Sequence, residues 1–279
     1  MKAFSKPIIA TVIAGAMALA LAGCGQQAQT DATSESVPDN NRETISQVAL
    51  LQSLLQGDYY GSVSIAELKT HGDTGIGTFD GLNGELIMVD GTVYRAAGDG
   101  TVEVPDDVET IPFSNVTFLD ADETQALKGI ASFEELEAIL DARVKELGVN
   151  RFYMARIDGT FKKVNVRSEH AQSEPYQPLV DVLAVDQTFY DYEDIAGTVV
   201  ALYCPDYMKE LNNAGWHLHF VSEDKTKGGH VLDLAVDQAE LTLDATDNFE
   251  MLLPDEEFFH DIDFMKDRSE EVRKAETNK

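Results

Sequence analysis

Beyond about residue 42 the chain breaks into short apolar runs separated by glycine- and aspartate-rich stretches. "RETISQVALLQSLLQG", residues 42–57, carries apolar positions at helical spacing and closes on glycine, which predicts an amphipathic helix. "SIAE", residues 64–67, has capping-box spacing and predicts a short helix. "HGDTGIGTFDGLNG", residues 71–84, reads as a glycine-rich loop. It has neither the Gly-Lys-Ser/Thr ending of a phosphate loop nor the spacing of a dinucleotide loop. "ELIMVDGTVYRA", residues 85–96, joins two β-rich runs at Asp90-Gly91 and predicts a hairpin. A second capping box at Ser132 opens "SFEELEAILDARVKELG", a predicted helix that stops at Gly148. "RFYMARIDGTFKKVNVR", residues 151–167, repeats the strand–Asp-Gly–strand pattern at Asp158-Gly159, so a second hairpin is expected and the two units hint at similar halves. Strands dominate, helices are few, and the elements do not alternate as βαβ units would. The expectation is an α+β protein with mixed and antiparallel sheets.

The N-terminus must be set apart first. "MKAFSKPIIATVIAGAMALALAGCGQQ" has Lys2 and Lys6, an apolar run from Ile8 to Ala22, and then Gly23-Cys24. This predicts a signal peptide over residues 1–23. The small residues leading into cysteine resemble a bacterial lipobox, with Cys24 as the lipidated new N-terminus. Residues 24–41 are polar, without a packing period, and read as a flexible tether. The expected location is extracytoplasmic, lipid-anchored to a bacterial membrane, or secreted if Cys24 is incidental.

Cleavage would remove Lys2 and Lys6 and deepen the formal charge from −29 to −31. Such a chain repels nucleic acid and anionic lipid, so neither is an expected partner, and membrane contact is expected only through the anchor. With two cysteines in the chain and Cys24 lipidated, Cys204 has no partner for a disulfide. Cys204 then reads as a small apolar residue at a strand end.

Three of the six histidines fall within "AGWHLHFVSEDKTKGGHVLDLAV", residues 214–236. "WHLHFV" alternates, so His217 and His219 share one face of a strand. "SEDKTKGG" is turn-forming and "HVLDLAV" is a second strand, so a hairpin about Asp224-Lys225 brings His230 opposite His219. A lone His-X-His pair is usually a surface coincidence. Three imidazoles on one patch of the C-terminal half make a metal site with an open position, of the catalytic zinc type. Imidazole also suits copper, iron or nickel. His71, His170 and His260 have no such neighbours and default to loop or surface positions.

These residues carry a resemblance. "GDTGIGTFDGLNGELIMVDGTVYRA", "RFYMARIDGTFKKVNVRS" with "PYQPL", and above all "GTVVALYCPDYMKELNNAGWHLHFVSEDKTKGGHVLDL" resemble the alpha-acetolactate decarboxylase family from about Glu43 to the C-terminus. The resemblance implies a catalytic region over residues 42–279, in two similar halves with a boundary near 148–180. It implies a two-domain α/β arrangement with a large mixed sheet in each half, and a homodimer as a recurrent assembly. The activity implied is metal-dependent decarboxylation of (S)-2-acetolactate, a small anionic keto acid, to (R)-acetoin and carbon dioxide.

Carried over residue by residue, His217, His219 and His230 match the metal ligands, and the divalent metal expected is Zn2+. Glu85 in "GLNGELIMVDG" and Arg167 in "VNVRS" match an active-site glutamate and arginine, with Arg156 in "ARIDG" the competitor for the arginine role. Glu276 in "VRKAE" matches a glutamate that folds back to the metal, although composition alone makes the acidic tail a solvated helix. On this reading the metal is a Lewis acid stabilising an enediolate, Arg167 holds the carboxylate and a glutamate supplies the proton, with no organic cofactor.

Two other classes compete. A cupin-like metalloenzyme acting on another small keto acid would use the His-X-His-X3-Glu spacing that ends at Glu223. A non-catalytic extracytoplasmic lipoprotein would bind metal or solute. An extracytoplasmic location also sits awkwardly with a substrate ordinarily made inside the cell.

Overall fold

The computed structural model describes residues 42–277; the segments read as signal peptide and tether, with Cys24, lie outside them. Eight short strands come first: β1 (Thr44–Val48), β2 (Val63–Ser64), β3 (Thr74–Thr78), β4 (Glu85–Val89), β5 (Thr92–Ala96), β6 (Val102–Glu103), β7 (Thr110–Ile111) and β8 (Phe113–Thr117). Longer ones follow: β9 (Glu123–Ile130), β10 (Phe152–Glu169), β11 (Gln187–Cys204), β12 (Gly215–Ser222) and β13 (Gly228–Thr246), with β14 (Asn248–Leu252) returning to the first group. The helices are α1 (Leu51–Leu55), α2 (Ile65–Leu68), α3 (Phe133–Leu147), α4 (Leu179–Leu183), α5 (Glu257–His260) and α6 (Ser269–Thr277).

A seven-stranded sheet runs β14-β1-β8-β3-β4-β5-β6, with β1 and β14 parallel and the other pairs antiparallel. The second sheet runs β10-β11-β12-β13-β9, and β10 also pairs with β13, so four of its strands close on themselves. The architecture is strand-rich α+β, as the pattern predicts.

Alternation assigns each strand of the second sheet two cores. Tyr153, Ala155 and Ile157 of β10, with Trp216, Leu218 and Phe220 of β12, fill one core beneath Leu136, Leu140 and Val144 of α3. Met154, Val200, Leu202 and Val221 face the other way and pack on Ile45, Ile76 and Ile87 of the first sheet. A further apolar cluster joins α1, α4 and α6 through Leu51, Leu54, Leu179, Val182, Val272 and Ala275. It caps the space beside His217 and His219.

The capping boxes form. Glu67 N–H donates to Ser64 Oγ, and Glu135 N–H donates to Ser132 Oγ, each at 3.2 Å. Asp90-Gly91 makes the predicted tight turn, with both residues at positive φ.

Three expectations fail. Residues 42–57 are not one helix, because β1 occupies the interior of the first sheet between β14 and β8 and only 51–55 coil. Its Gln47 is wholly buried among Asn115, Asn212 and the carbonyls of Ala49 and Leu211. The glycine-rich stretch 71–84 contains β3, a buried strand of the same sheet on extended backbone. Asp158-Gly159 is not a turn: β10 runs straight through it for 18 residues, paired on both sides. Cys204 is buried at the end of β11, the apolar strand-end position expected of it.

Candidate metal centre

On β12, His217 and His219 project from the face turned toward the first sheet, while Trp216, Leu218 and Phe220 fill the opposite face. The chain then turns over residues 223–226, with Lys225 at φ 58, and re-enters as β13. The ladder places His219 directly across from His230, the register read from the sequence. On its other side His230 pairs with Arg167 of β10. Gly229 makes this meeting sterically feasible. It has φ +146, and a Cβ there would lie 2.6 Å from the Arg167 carbonyl oxygen.

The three ring systems converge. His217 Nε2 lies 3.0 Å from His219 Nε2 and 3.0 Å from His230 Nδ1. A single N–H shared between these two acceptors makes only a weakened three-centre bond to each. The outer nitrogens decide the tautomers: His219 Nδ1–H donates to the Leu86 carbonyl at 2.8 Å, and His230 Nε2–H donates to the Glu276 carbonyl at 3.1 Å. Both rings therefore turn lone pairs inward, toward His217. His217 Nδ1 has no hydrogen-bond partner among the described residues, and Glu276 Oε2 lies 3.6 Å from it.

Burial drives the pKa of His217 down to about 3, with the positive charge of Arg167 adding to the effect. Burial likewise holds His219 and His230 well below the ordinary histidine value. Neutral imidazole is the ligating form. At most one proton, on His217 Nε2, can lie between these lone pairs, and a cation bound by all three nitrogens would satisfy each of them. Tetrahedral zinc ligands at about 2.0–2.1 Å from the ion stand roughly 3.3 Å apart, close to the two separations of 3.0 Å that His217 Nε2 makes here. The donor set fits a divalent metal. Among the described residues this trio is the grouping of metal-ligating side chains.

Carboxyl groups and an arginine complete the surroundings. Glu85, at the start of β4, is buried with Oε2 3.3 Å from the inward-facing Nε2 of His219. Burial first, and the neighbouring Glu169 charge second, raise its carboxyl well above the usual range. A bound cation would act in the opposite direction. Glu276 enters from α6, and burial raises its carboxyl to about 7.

Arg167 is buried at the end of β10, donating Nη1–H to Glu169 and Nη2–H to the Ala275 carbonyl at 2.8 Å. Arg156, the competitor, is elsewhere: it pairs with Asp158 at 2.7 Å and Asp90 at 2.6 Å, near the surface. Glu223 of the cupin-like spacing is exposed in the hairpin turn and outside the trio. His71 lies against Glu250, His170 against Thr188 and His260 against Asp255, all away from the cluster.

A small cavity of ≈ 40 Å³ is bounded by the trio, Glu85, Arg167, Glu169 and Glu276 on its polar side and by Leu51, Leu54, Leu82, Phe113 and Leu179 on its apolar side. A larger cleft of ≈ 920 Å³ lies between the start of α3, the loop before β12 and α6. The two share His217, His230 and Glu276, so α6 stands where the cleft meets the inner cavity. Glu169 and the Leu86 carbonyl were not singled out from sequence. Glu169 had a signal, since it stands two residues from Arg167 on an alternating strand and so shares its face.

The alpha-acetolactate decarboxylase family profile matches residues 45–266. The alpha-acetolactate decarboxylase of Methanosarcina mazei is 38% identical over 255 residues, covering 90% of this chain and 88% of its own. That of Bacillus licheniformis is 37% identical, covering 86% of this chain and 94% of its own. The crystal structure of alpha-acetolactate decarboxylase from Bacillus subtilis strain 168 superposes with a TM-score of 0.80 at 33% identity, covering 84% of this chain and 99% of that one. With more than two thirds of the chain matched at this identity, it belongs to the alpha-acetolactate decarboxylase family of carboxy-lyases.

Proposed function

We propose that this protein decarboxylates (S)-2-acetolactate to (R)-acetoin and carbon dioxide, with a divalent ion, Zn2+ first among the candidates, held by His217, His219 and His230. The observation that carries the reading is the inward set of neutral imidazoles, its outer nitrogens clamped by Leu86 and Glu276, beside a buried carboxyl and a buried arginine. When bound, the ion supplies Lewis acidity to the ketone oxygen of a β-keto acid, where the electron pair left by carbon dioxide collects.

The chain's own residues supply the rest. Arg167 engages the substrate carboxylate through a charge-assisted hydrogen bond. Leu51, Leu54, Leu82 and Phe113 wall the cavity with apolar surface and keep bulk water from the reacting carbon. Glu85 borders the inward nitrogen of His219, and its burial favours the proton-carrying form of the carboxyl, which suits it to protonate the carbon that loses carbon dioxide. Glu276 lies on the outer side of His217, where its carboxylate is placed to orient that ring, while its backbone carbonyl orients His230.

The test is acetoin release from racemic 2-acetolactate by purified protein, with and without chelator, followed by chiral analysis of the product and metal analysis of the protein. Turnover that survives complete removal of the metal would sink the metal-dependent reading. A protein that binds metal stoichiometrically and releases no acetoin would be the binding lipoprotein instead. We further propose that Cys24 anchors the chain outside the cytoplasmic membrane, so that Cys24→Ser should shift it from the membrane fraction to the soluble fraction or block its processing.

A further inference from the structure

Arg167 and Glu169 are two residues apart on β10 and so point to the same face, where both are buried. Arg167 is held from two elements at once: Glu169 accepts a hydrogen bond from Nη1–H, and the Ala275 carbonyl of α6 accepts one from Nη2–H at 2.8 Å. Two acceptors on different elements fix both the plane and the rotation of a guanidinium. Of its three nitrogens, Nε is the one left without any acceptor among the described residues, and it is buried. Arg167 and Glu169 both line the small cavity beside the three histidines. A buried charged donor without a partner is costly, and such a group in a cavity wall is a place for a ligand acceptor.

The charge balance makes the role of Glu169 specific. Paired with Glu169, Arg167 offers little net positive charge to an anion, so Glu169 does not help to attract a carboxylate. Its effect is directional. In decarboxylation of a β-keto acid the breaking C–C bond must stand across the plane of the ketone, so that its electron pair enters the carbonyl π system. A guanidinium free to swing would hold the carboxylate just as tightly in unproductive angles, and misplacements on the scale of an ångström cost about 100-fold in rate.

We propose that Glu169 is a positioning residue. By occupying Nη1 of Arg167 it leaves the Nε edge to receive the substrate carboxylate, which sets the angle of the bond that breaks. This rests on the decarboxylase reading above.

The test separates orientation from affinity. Wild type, Glu169→Gln and Glu169→Asp are compared for kcat per bound metal, and for the Kd of an unreactive 2-hydroxy carboxylate. For Glu169→Gln the expected result is a fall in kcat of about 10- to 100-fold. The carboxylate should bind as tightly as to wild type or more tightly, because a competing anion is gone. Glu169→Asp keeps the charge but withdraws it by one methylene, and should lose less turnover with unchanged affinity. Turnover per metal within threefold of wild type in Glu169→Gln overturns the proposal, as does a parallel loss of turnover and carboxylate affinity, the mark of a merely structural role. Should Glu169→Gln not fold, wild-type turnover in Glu169→Asp overturns it instead. A wild-type protein that releases no carbon dioxide sinks the decarboxylase reading itself, whereas active wild type with an unimpaired variant sinks only the role of Glu169.

Discussion

His219 is fixed at both nitrogens. Nδ1–H reaches across to the Leu86 carbonyl of the first sheet, and Nε2 faces His217 and Glu85. Removing this imidazole leaves a buried void and takes away one of three donors. His219→Ala should therefore lose stoichiometric metal and fall to background decarboxylation, whereas His71→Ala, whose ring lies against Glu250 away from the trio, should change neither. Metal content by elemental analysis checks both, and full activity in His219→Ala would remove the metal from the mechanism. Glu85→Gln keeps the shape and removes the proton, so metal should stay while kcat drops by about 100- to 10,000-fold. The histidines were legible because alternation and a turn-forming octapeptide are local signals. Glu85 and Arg167 were not: each is an ordinary strand residue until a strand from another sheet faces it, and only the family resemblance pointed to them.

At the level of elements, the misreading of β10 shows what local patterns leave out. Asp-Gly marks a turn when the chain must reverse, but Gly159 lies in a strand paired on both sides, and its missing side chain has a packing reason. A Cβ at Gly159 would stand 2.5 Å from Ala239 Cα on the neighbouring β13. Gly159→Val should therefore push β13 away and destabilise the closed sheet by roughly 1–3 kcal/mol, the usual cost of overpacking, measurable by denaturant unfolding. The same lesson applies to α6. Its sequence is charged and reads as solvated, yet Val272 and Ala275 are buried against α1 and α4, and its last turn supplies two backbone acceptors to the site. Deleting residues 270–279 should sharply lower turnover while leaving the three-histidine metal site occupied. Glu276→Gln should lose about 10- to 100-fold, the range for a group that orients a metal ligand. Near-normal turnover in both variants, with metal bound, would return the helix to a structural role.

At the scale of the molecule, the two sheets share one interface, and the acidic excess has to be accommodated around it. Strand content and the absence of βαβ alternation were readable from periodicity, because each strand carries its own alternation. Which sheet a strand joins was not, because β1 pairs with β14 from the far end of the chain, a contact that no window of sequence contains. Asp244 on β13 shows the consequence for charge. It is buried, accepts the Asp120 backbone N–H at 3.2 Å, and lies among Glu43, Asp120 and Asp122, with Arg42 as the nearby cation. Burial first, and these like charges after it, raise its carboxyl from 3.8 to about 7. Between those values the folded form keeps a proton that the unfolded form has released. The stability tied to Asp244 is therefore complete below about pH 4, declines as pH rises toward 7, and is fully lost above it. At about 1.4 kcal/mol per pH unit over roughly three units, the swing is on the order of 4 kcal/mol. Asn in this position still accepts the Asp120 N–H and cannot ionise. Asp244→Asn should match wild type near pH 4 and be the more stable of the two at pH 8, in urea unfolding at both pH values. Parallel stability profiles across that interval would show that Asp244 stays ionised in the folded protein.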